Sequence, residues 1–422
     1  MRMLFKPASL SGNLSAAPSK SDAHRALICA ALSKGESRLL MPDWRSGDLE
    51  ATIRCLGALG ANITREDGLL RVEPMRRVVG MPVLGCGESG STLRFLLPVV
   101  AALGHGAIFI AEGGLPGRPL RPLLDCLRAG GARVLSESPL LALEGSISSG
   151  TYRVPGDVSS QFISGLLFAL PLLPEGGEIE ITSRLESAGY VEMTLRTLER
   201  FSVEVIHTQN GFRIPSGQSY RAPERLEVEG DWSNMAFFLG VGALRAPVAC
   251  DGLSADSKQG DRAVLPLLER FGARVEQNGT RAKVSPGVLR GIEADMSQIP
   301  DLAPILATVA SVARGTTRLY GAGRLRMKES DRLRTVSAML RSLGADITEE
   351  ADSLVIEGRS LLRGGLANSC GDHRIAMAAA MAATVCSGDT VLEGAGSVSK
   401  SYPSFYDDYK RLGGSCNVVD AR

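Results

Sequence analysis

The strongest constraint on how this 422-residue chain can fold is an internal repeat. CLGALGANI carries a Gly-Ala step at Gly60-Ala61, LRAGGARV at Gly131-Ala132, LLERFGARV at Gly272-Ala273 and MLRSLGADI at Gly344-Ala345. LERFSVEV puts Ser202-Val203 in the same place, the weakest member, and YKRLGGSCNVV closes the set at Gly413-Gly414. The spacings are 71, 71, 70, 72 and 69 residues. Each echo has one physical meaning. Apolar residues at helical spacing, such as Leu265, Leu267, Leu268 and Phe271, or Val336, Leu340 and Leu343, predict a helix. Gly then ends it, because Gly takes the left-handed cap conformation without steric cost. Alternating stretches such as ARVEQ and ADITE follow and predict strands. The chain is therefore expected to be α/β, built from six helix-and-strand modules, three to a domain, with a division near Glu227.

Composition narrows the function. Formal net charge is +1 with 22% charged residues, so nothing global points to nucleic acid or an anionic membrane. The 48 glycines and 21 prolines fit many short elements joined by turns. Eight scattered cysteines without a CxxC pair, and four histidines without HxH or HExxH, point away from a metal site and towards a reducing, cytoplasmic setting. MRMLFKPASLSG is too polar and short for a signal peptide. FISGLLFALPLL, 162–173, is too short to span a bilayer and predicts a buried element.

Polar clusters recur at predicted helix starts. In AAPSKSDAHRALICAAL, Ser21 or Asp22 is a candidate N-cap for a helix from about Ala23, which puts Lys20 and Arg25 where a helix dipole favours an anion. CGESGSTLRFLLPVVAAL places Gly87 and Gly90 before a helix from Leu93, with room for a ligand near the backbone but no GxxxxGK[ST] loop. GLPGRPLRPLLDCL adds Arg118 and Arg121, and VPGDVSSQF adds Ser159, Ser160 and Gln161, suited to a hydroxylated or phosphorylated ligand. Ser187 and Tyr190 follow in SRLESAGYVEMTL. The second half brings Asp301 after Pro300, Asp372-His373-Arg374 at the head of an Ala-rich helix, and Lys400 near Tyr402. RLRMKESDRLR places Lys328 and Arg332 four apart, on one helical face, with Glu329 between them. Each cluster alone also fits a simple cap or a solvated face. Together they suggest an anion-binding cleft between two facing domains.

The ordered set PSKSDAHR, GESGSTLRF, PGDVSSQF, Ser187 with Tyr190, VEGDWSNMAFFL, IPDLAP, RMKESDRL, GDHRIAMA and SKSYPSF resembles the 5-enolpyruvylshikimate-3-phosphate synthases of the enolpyruvyl transferase family over essentially the whole chain. The resemblance implies a two-domain inside-out α/β barrel with three repeats in each domain. Domain I is expected at 1–19 plus 228–422 and domain II at 20–227, with the active site in the cleft between them. The implied reaction transfers the enolpyruvyl group of phosphoenolpyruvate to the 5-hydroxyl of shikimate 3-phosphate, releasing phosphate through a tetrahedral intermediate. By resemblance Lys20, Gly90, Arg121, Arg332, Arg374 and Lys400 meet phosphoenolpyruvate. Ser21, Arg25, Ser159, Ser160, Gln161, Ser187, Tyr190, Asp301 and Lys328 meet shikimate 3-phosphate. Asp301, Glu329 and Lys20 are the implied acid/base groups. No cofactor or metal is implied, nor a nucleic-acid or membrane partner, and the family expectation is a cytoplasmic monomer.

One departure stands out. Glu88 occupies a position where the family commonly has Asn, and a carboxylate facing inward there would repel an anion unless it points away or pairs with an Arg. Glyphosate inhibits many members at the phosphoenolpyruvate site. Gly90 is the small residue expected of sensitive forms, and Glu88 and Ser91 leave the degree of sensitivity open. Two rival functions remain at this level. The UDP-N-acetylglucosamine enolpyruvyl transferases share the fold, but typically have Lys-Asn where this chain has Lys20-Ser21, and carry a reactive loop Cys. Here Cys126 falls inside a predicted helix and is expected to be core. A repeat-built binding scaffold without catalysis would not need Asp301, Glu329 and the cations to converge.

Overall fold

The computed structural model describes all residues except 43, 77–79, 137–138, 224 and 420–422. The backbone divides into two compact units, Met1–Ala17 with Glu229–Arg422, and Pro18–Val228. The described strands form six four-stranded sheets, three in each unit, and all six share one plan. In one of them Val83–Gly87 runs into helix Gly90–Leu103, which crosses over to the parallel strand Ala107–Ala111. Helix Arg121–Ala129 then leads to the hairpin of Arg133–Ser136 and Leu140–Glu144, whose second strand pairs antiparallel with Ala107–Ala111. The sheet around Glu293–Asp295 and Thr316–Tyr320 repeats the same parallel-then-antiparallel order. The chain is thus a two-domain α/β protein of repeated helix-and-strand units.

Three strands from the junctions complete sheets begun elsewhere in the sequence. Arg2–Lys6 lies between Thr390–Glu393 and Ser415–Val419, so the first strand finishes the last module. Gly12–Ser15 pairs parallel with Val248–Asp251, and Leu226–Glu227 pairs parallel with Ser37–Leu40. Each unit therefore contains three whole modules although the chain enters and leaves in mid-module.

The six echoes mark the helix-to-strand turns of these modules. Gly60, Gly131, Gly272, Gly344 and Gly413 all take φ between 92° and 112°, and Ser202 takes φ 60°. At Gly272 a Cβ would lie 2.3 Å from the Val288 carbonyl oxygen, so close approach adds to the conformational demand. Ser202 holds the same left-handed turn at a cost of about 1 kcal/mol, which is why it was the weakest echo by letter and not by geometry.

Three of the described α-helices in each unit are buried along most of their length, while the other α-helices and the sheets keep exposed faces. Every residue of Trp232–Gly242 and of His373–Ala383 is buried, and apart from polar residues in their first turns both helices are apolar or small all round. The strands alternate, as in Thr316–Tyr320, where one face is buried and the other exposed. Gly165 allows Ser160–Ala169 to lie against Gly90–Leu103, since a Cβ there would come 2.4 Å from the Arg94 carbonyl oxygen. FISGLLFALPLL is buried in this packing, and no helix among the described residues is long and apolar enough to cross a membrane.

Several helix starts differ from the sequence expectation. The first helix begins at Lys20, with Ser19 as N-cap accepting from the Asp22 amide at 3.3 Å, instead of at Ala23 with Ser21 or Asp22 as cap. The Gly-rich segment is helical from Gly90 and capped by Ser89, instead of from Leu93. Lys328 and Arg332 do not share a helical face. Lys328 and Glu329 lie in the bend between the 3-10 turn Gly323–Met327 and helix Arg332–Ser342, because Asp331 caps the helix through the Arg334 amide.

Candidate active site

The unit formed by Met1–Ala17 and Glu229–Arg422 contains a charged cluster centred on Arg332. Its guanidinium is 1% exposed and donates to three carboxylates. Nη1 meets Asp301 Oδ1 at 2.7 Å, Nη2 meets Glu329 Oε2 at 2.6 Å, and Nε meets Asp372 Oδ2 at 2.7 Å. Asp372 is the N-cap of His373–Ala383 and accepts the Arg374 amide at 2.9 Å. The same turn aims the Arg374 side chain at Asp301, Nη2 to Oδ2 at 3.0 Å. Lys328 Nζ lies 3.7 Å from Asp301 Oδ1, and Lys400 Nζ donates to the Gly371 carbonyl at 2.9 Å, on the loop before Asp372. Five of the sequence-selected groups, Asp301, Lys328, Glu329, Arg332 and Arg374, are thereby brought into one network, with Lys400 at its rim.

The electrostatics follow from burial set against charge. Burial would raise the Asp301 carboxyl, but Arg374, Lys328 and Arg332 outweigh it and hold the group well below the usual carboxylate range. Burial pushes the Lys328 ammonium down to about 8, although Asp301 opposes the shift. Arg332 stays firmly charged against the same burial because Asp372, Glu329 and Asp301 surround it. Behind the cluster Asp261 accepts from the Ser233 hydroxyl, and burial together with the nearby Asp301 charge lifts its carboxyl to about 6.

The unit Pro18–Val228 arranges its polar groups differently. Lys20 is the first residue of its helix, and its Nζ donates to Asp48 Oδ2 at 2.6 Å. Arg25, one turn on, is 2% exposed and is held by neutral groups: Nε to Thr194 Oγ1 at 2.9 Å, Nη1 to the Ser21 carbonyl at 2.6 Å, and Nη2 to the Tyr190 carbonyl at 2.7 Å. Its Cζ also lies 5.3 Å from the Phe95 ring centroid. Burial draws this guanidinium down to about 10, so it stays charged at neutral pH. Ser159 caps Ser160–Ala169 and accepts the Gln161 amide at 3.3 Å. Gln161 accepts from Arg94 Nη1 at 2.8 Å and donates to Ser91 Oγ at 2.9 Å. Ser187, buried and left-handed at φ 55°, begins Ala188–Arg200, and its carbonyl accepts the Tyr190 amide. Thus Ser21, Arg25, Ser187 and Tyr190 form one group, and Ser159, Ser160 and Gln161 form another.

Arg121 is the exception. It was expected beside Gly90, yet its side chain is 86% exposed and reaches Asp125 at 3.5 Å. Arg121 opens its helix facing outward. Arg118, three residues earlier, comes off a 3-10 turn facing the Gly-rich helix instead. A Cβ on Gly90 would lie 3.0 Å from Arg118 Nη1 and 3.3 Å from its Cζ. The guanidinium next to Gly90 therefore belongs to Arg118. Glu88 does turn away from that helix start, towards the 112–114 turn. A Cβ on Gly113 would sit 2.5 Å from Glu88 Cδ and 2.6 Å from its Oε2.

Other members were not selected from sequence. Asp48 carried no signal beyond its place in GDLE, near the start of helix Gly47–Ala58. A buried chain runs from His24 Nδ1 to Thr52 Oγ1 at 2.7 Å, on to Thr92 Oγ1 at 2.6 Å and Ser89 Oγ at 2.7 Å. It ties together the three helices that begin with Lys20, Gly47 and Gly90. Burial and the nearby Lys20 and Arg25 hold His24 well below its ordinary value, so its ring is neutral. Cys126 is buried within Arg121–Ala129. Among the described residues, no three or more His, Cys, Asp or Glu side chains are placed to hold a metal ion.

Comparison with known proteins agrees over nearly the full length. The family model EPSP synthase (3-phosphoshikimate 1-carboxyvinyltransferase) matches residues 4–409. A 3-phosphoshikimate 1-carboxyvinyltransferase of Clostridium kluyveri is 44% identical over 97% of this chain and 97% of its own. Among solved structures, an EPSP synthase from Acinetobacter baumannii superposes with a TM-score of 0.82 at 23% identity, covering 99% of this chain and 100% of that one. The enolpyruvyl transferase NikO from Streptomyces tendae superposes with a TM-score of 0.80 at 17% identity, covering 100% and 99%. Two differently named enzymes share this fold almost equally, so the fold alone does not select a substrate.

Proposed function

Because the chain belongs to the EPSP synthase (3-phosphoshikimate 1-carboxyvinyltransferase) family, we propose that it transfers the enolpyruvyl group of phosphoenolpyruvate to the 5-hydroxyl of shikimate 3-phosphate, with release of phosphate. The observation that carries this is Arg332, which holds Asp301 and Glu329 on one guanidinium. The reaction needs two acids with different duties. The C3 of phosphoenolpyruvate must gain a proton while the 5-oxygen bonds to C2. The tetrahedral adduct must then lose phosphate and a proton from the new methyl group.

Glu329 is the proton carrier at C3, giving the proton in the addition and taking one back in the elimination. Its side chain is the more accessible of the two, 25% exposed against 12% for Asp301. Asp301, held ionised by its cations, orients the 5-hydroxyl and takes its proton as the 5-oxygen bonds to C2, and the departing phosphate carries that proton away. Lys328, Arg374, Lys400 and Arg332 stabilise the carboxylate and phosphate charge as it moves. From the other unit Lys20, at a helix N-terminus, and Arg118, beside Gly90, meet the phosphoenolpyruvate anion. Arg118 takes the place first given to Arg121. Ser21, Arg25, Ser159, Ser160, Gln161, Ser187 and Tyr190, together with Lys328, receive shikimate 3-phosphate.

The test is a coupled phosphate-release assay with phosphoenolpyruvate and either shikimate 3-phosphate or UDP-N-acetylglucosamine. Phosphate release with the shikimate ester alone supports the assignment. Release with the sugar nucleotide alone transfers the chain to the other branch of the chemistry. Release with neither overturns an enolpyruvyl-transfer role on these acceptors.

A further inference from the structure

Glu88 lies two residues before Gly90, at the start of a 14-residue helix whose amide groups face any nearby anion. With Arg118 beside Gly90, this helix start is a favourable place for a carboxylate, whether a substrate's or the chain's own. A glutamate tethered this close would compete for it continuously. The side chain is instead laid over the turn at 112–114. That turn is fixed against the Gly-rich strand by the Glu112 amide, which donates to the Gly87 carbonyl at 2.8 Å, and it closes with the Leu115 amide on the Glu112 carbonyl at 3.1 Å. At its apex Gly113 takes φ 55° and has no side chain. The space a Cβ would fill is the space occupied by the Glu88 carboxyl group, at 2.5 and 2.6 Å.

We propose that Gly113 is a positioning residue, whose missing Cβ provides the seat that keeps the Glu88 carboxylate out of the anion pocket headed by Gly90 and Arg118. This rests on the assignment of that pocket to phosphoenolpyruvate. Any L-residue at 113 must displace the far end of Glu88. Favourable surroundings for the displaced carboxylate lie at the helix N-terminus and the Arg118 guanidinium, where it opposes the substrate anion by its charge.

The test is a double-mutant cycle read as KM for phosphoenolpyruvate and kcat in the phosphate-release assay. Gly113→Ala is expected to raise KM roughly five- to ten-fold while kcat stays within about two-fold. Gly113→Asn, whose side chain tolerates left-handed backbone better, supplies a second variant if the alanine form does not fold. Glu88→Gln alone should leave KM within about two-fold, because the carboxylate is already seated away. Added to either Gly113 variant, Glu88→Gln should return KM to within about two-fold of the parent. An unchanged KM in a folded Gly113 variant overturns the proposal, since the carboxylate then has another place to go. So does a raised KM that Glu88→Gln fails to relieve, which assigns the effect to backbone strain. Should the unmodified protein release no phosphate with shikimate 3-phosphate, the assigned function and this inference fall together. Should it be active and the cycle show no coupling, only the inference falls.

Discussion

Arg25 and Arg332 are both almost wholly buried arginines, and they sit in opposite surroundings. Arg25 donates to a threonine hydroxyl and two backbone carbonyls and lies against aromatic rings, while Asp22 acts on it only at longer range. Arg332 donates to three carboxylates. Their ionisation moves in opposite directions as a result, Arg25 down to about 10 and Arg332 upward. A buried guanidinium in a neutral cage still has its charge to offer, and a phosphate dianion is its natural complement. One already neutralised by carboxylates serves to hold those acids in place. One unit therefore presents a receptor for charge, and the other a set of acids whose geometry and proton affinity are tuned.

The largest effect that distinguishes the two falls on an acid of the Arg332 network. Glu329→Gln keeps a hydrogen-bond acceptor for Arg332 and removes the proton carrier, so kcat should fall by about 10² to 10⁴ with each KM within a few-fold in steady-state kinetics. Near-normal turnover would remove Glu329 from the chemistry. The arginines themselves give a paired test. Arg332→Met strands three carboxylates and should cost about 3–5 kcal/mol in urea unfolding. Arg25→Met strands only neutral acceptors and removes a desolvated charge, so the stability loss should stay below about 2 kcal/mol, while KM for shikimate 3-phosphate rises about 10- to 100-fold. If the two substitutions destabilise the protein equally, the division between receptor and tuned acids is wrong.

Much of this was visible in sequence, for physical reasons. The echoes could be read because a left-handed turn after a helix selects Gly, and six such turns at even spacing imply six modules. Ser202 was hard to recognise because its left-handed turn, φ 60°, carries a serine where the other five carry glycine. Asp301, Glu329 and Arg332 could be selected because short polar runs ahead of apolar helices are conspicuous. Arg118 and Arg121 could not be told apart, since both flank prolines in GRPLRP and only the tertiary course of the turn decides which faces Gly90. The same is true of Asp48 and Thr52, which stand about one helical turn apart in an ordinary amphipathic helix and gain meaning only from Lys20, His24 and Thr92 across the packing. The start of the first helix was missed by three residues because Ser21 and Asp22 are, by residue type, as good caps as the Ser19 that the fold uses.

A pH profile extends the comparison with a smaller effect. Lys328 is pushed down to about 8 by burial, whereas Arg25 titrates near 10. Below pH 8 both are cationic, and under the proposed assignment each offers a positive charge to shikimate 3-phosphate. As pH rises through 8 the Lys328 ammonium loses its proton first, so the attraction is lost upward in pH and not downward. KM for the phosphate ester should be flat below pH 8 and climb by at most about ten-fold per pH unit above it. Lys328→Arg, whose guanidinium remains charged, should flatten the rise between pH 8 and 10. A profile already rising at pH 7, or one that Lys328→Arg leaves unchanged, would detach the titration from this residue.

The smallest expected effect belongs to the neutral side of the comparison. Thr52 stands in the middle of the buried chain from His24 to Thr92 and Ser89. Thr52→Val keeps the shape and removes the hydroxyl, leaving the His24 ring and the Thr92 hydroxyl each short of one partner. No charge is stranded, so unfolding should become easier by about 1–2 kcal/mol, against the larger loss for Arg332→Met. Thr52→Ser should recover most of that in the same urea titration, because it restores the hydroxyl and gives up only a methyl group. Turnover should change by less than about three-fold, since the chain supports the helices beneath Lys20 and Gly90 without touching the reacting atoms. A loss as large as that of Arg332→Met would mean that hydroxyl chains and carboxylate networks carry equal weight in this fold, and the contrast between its two units would reduce to chemistry alone.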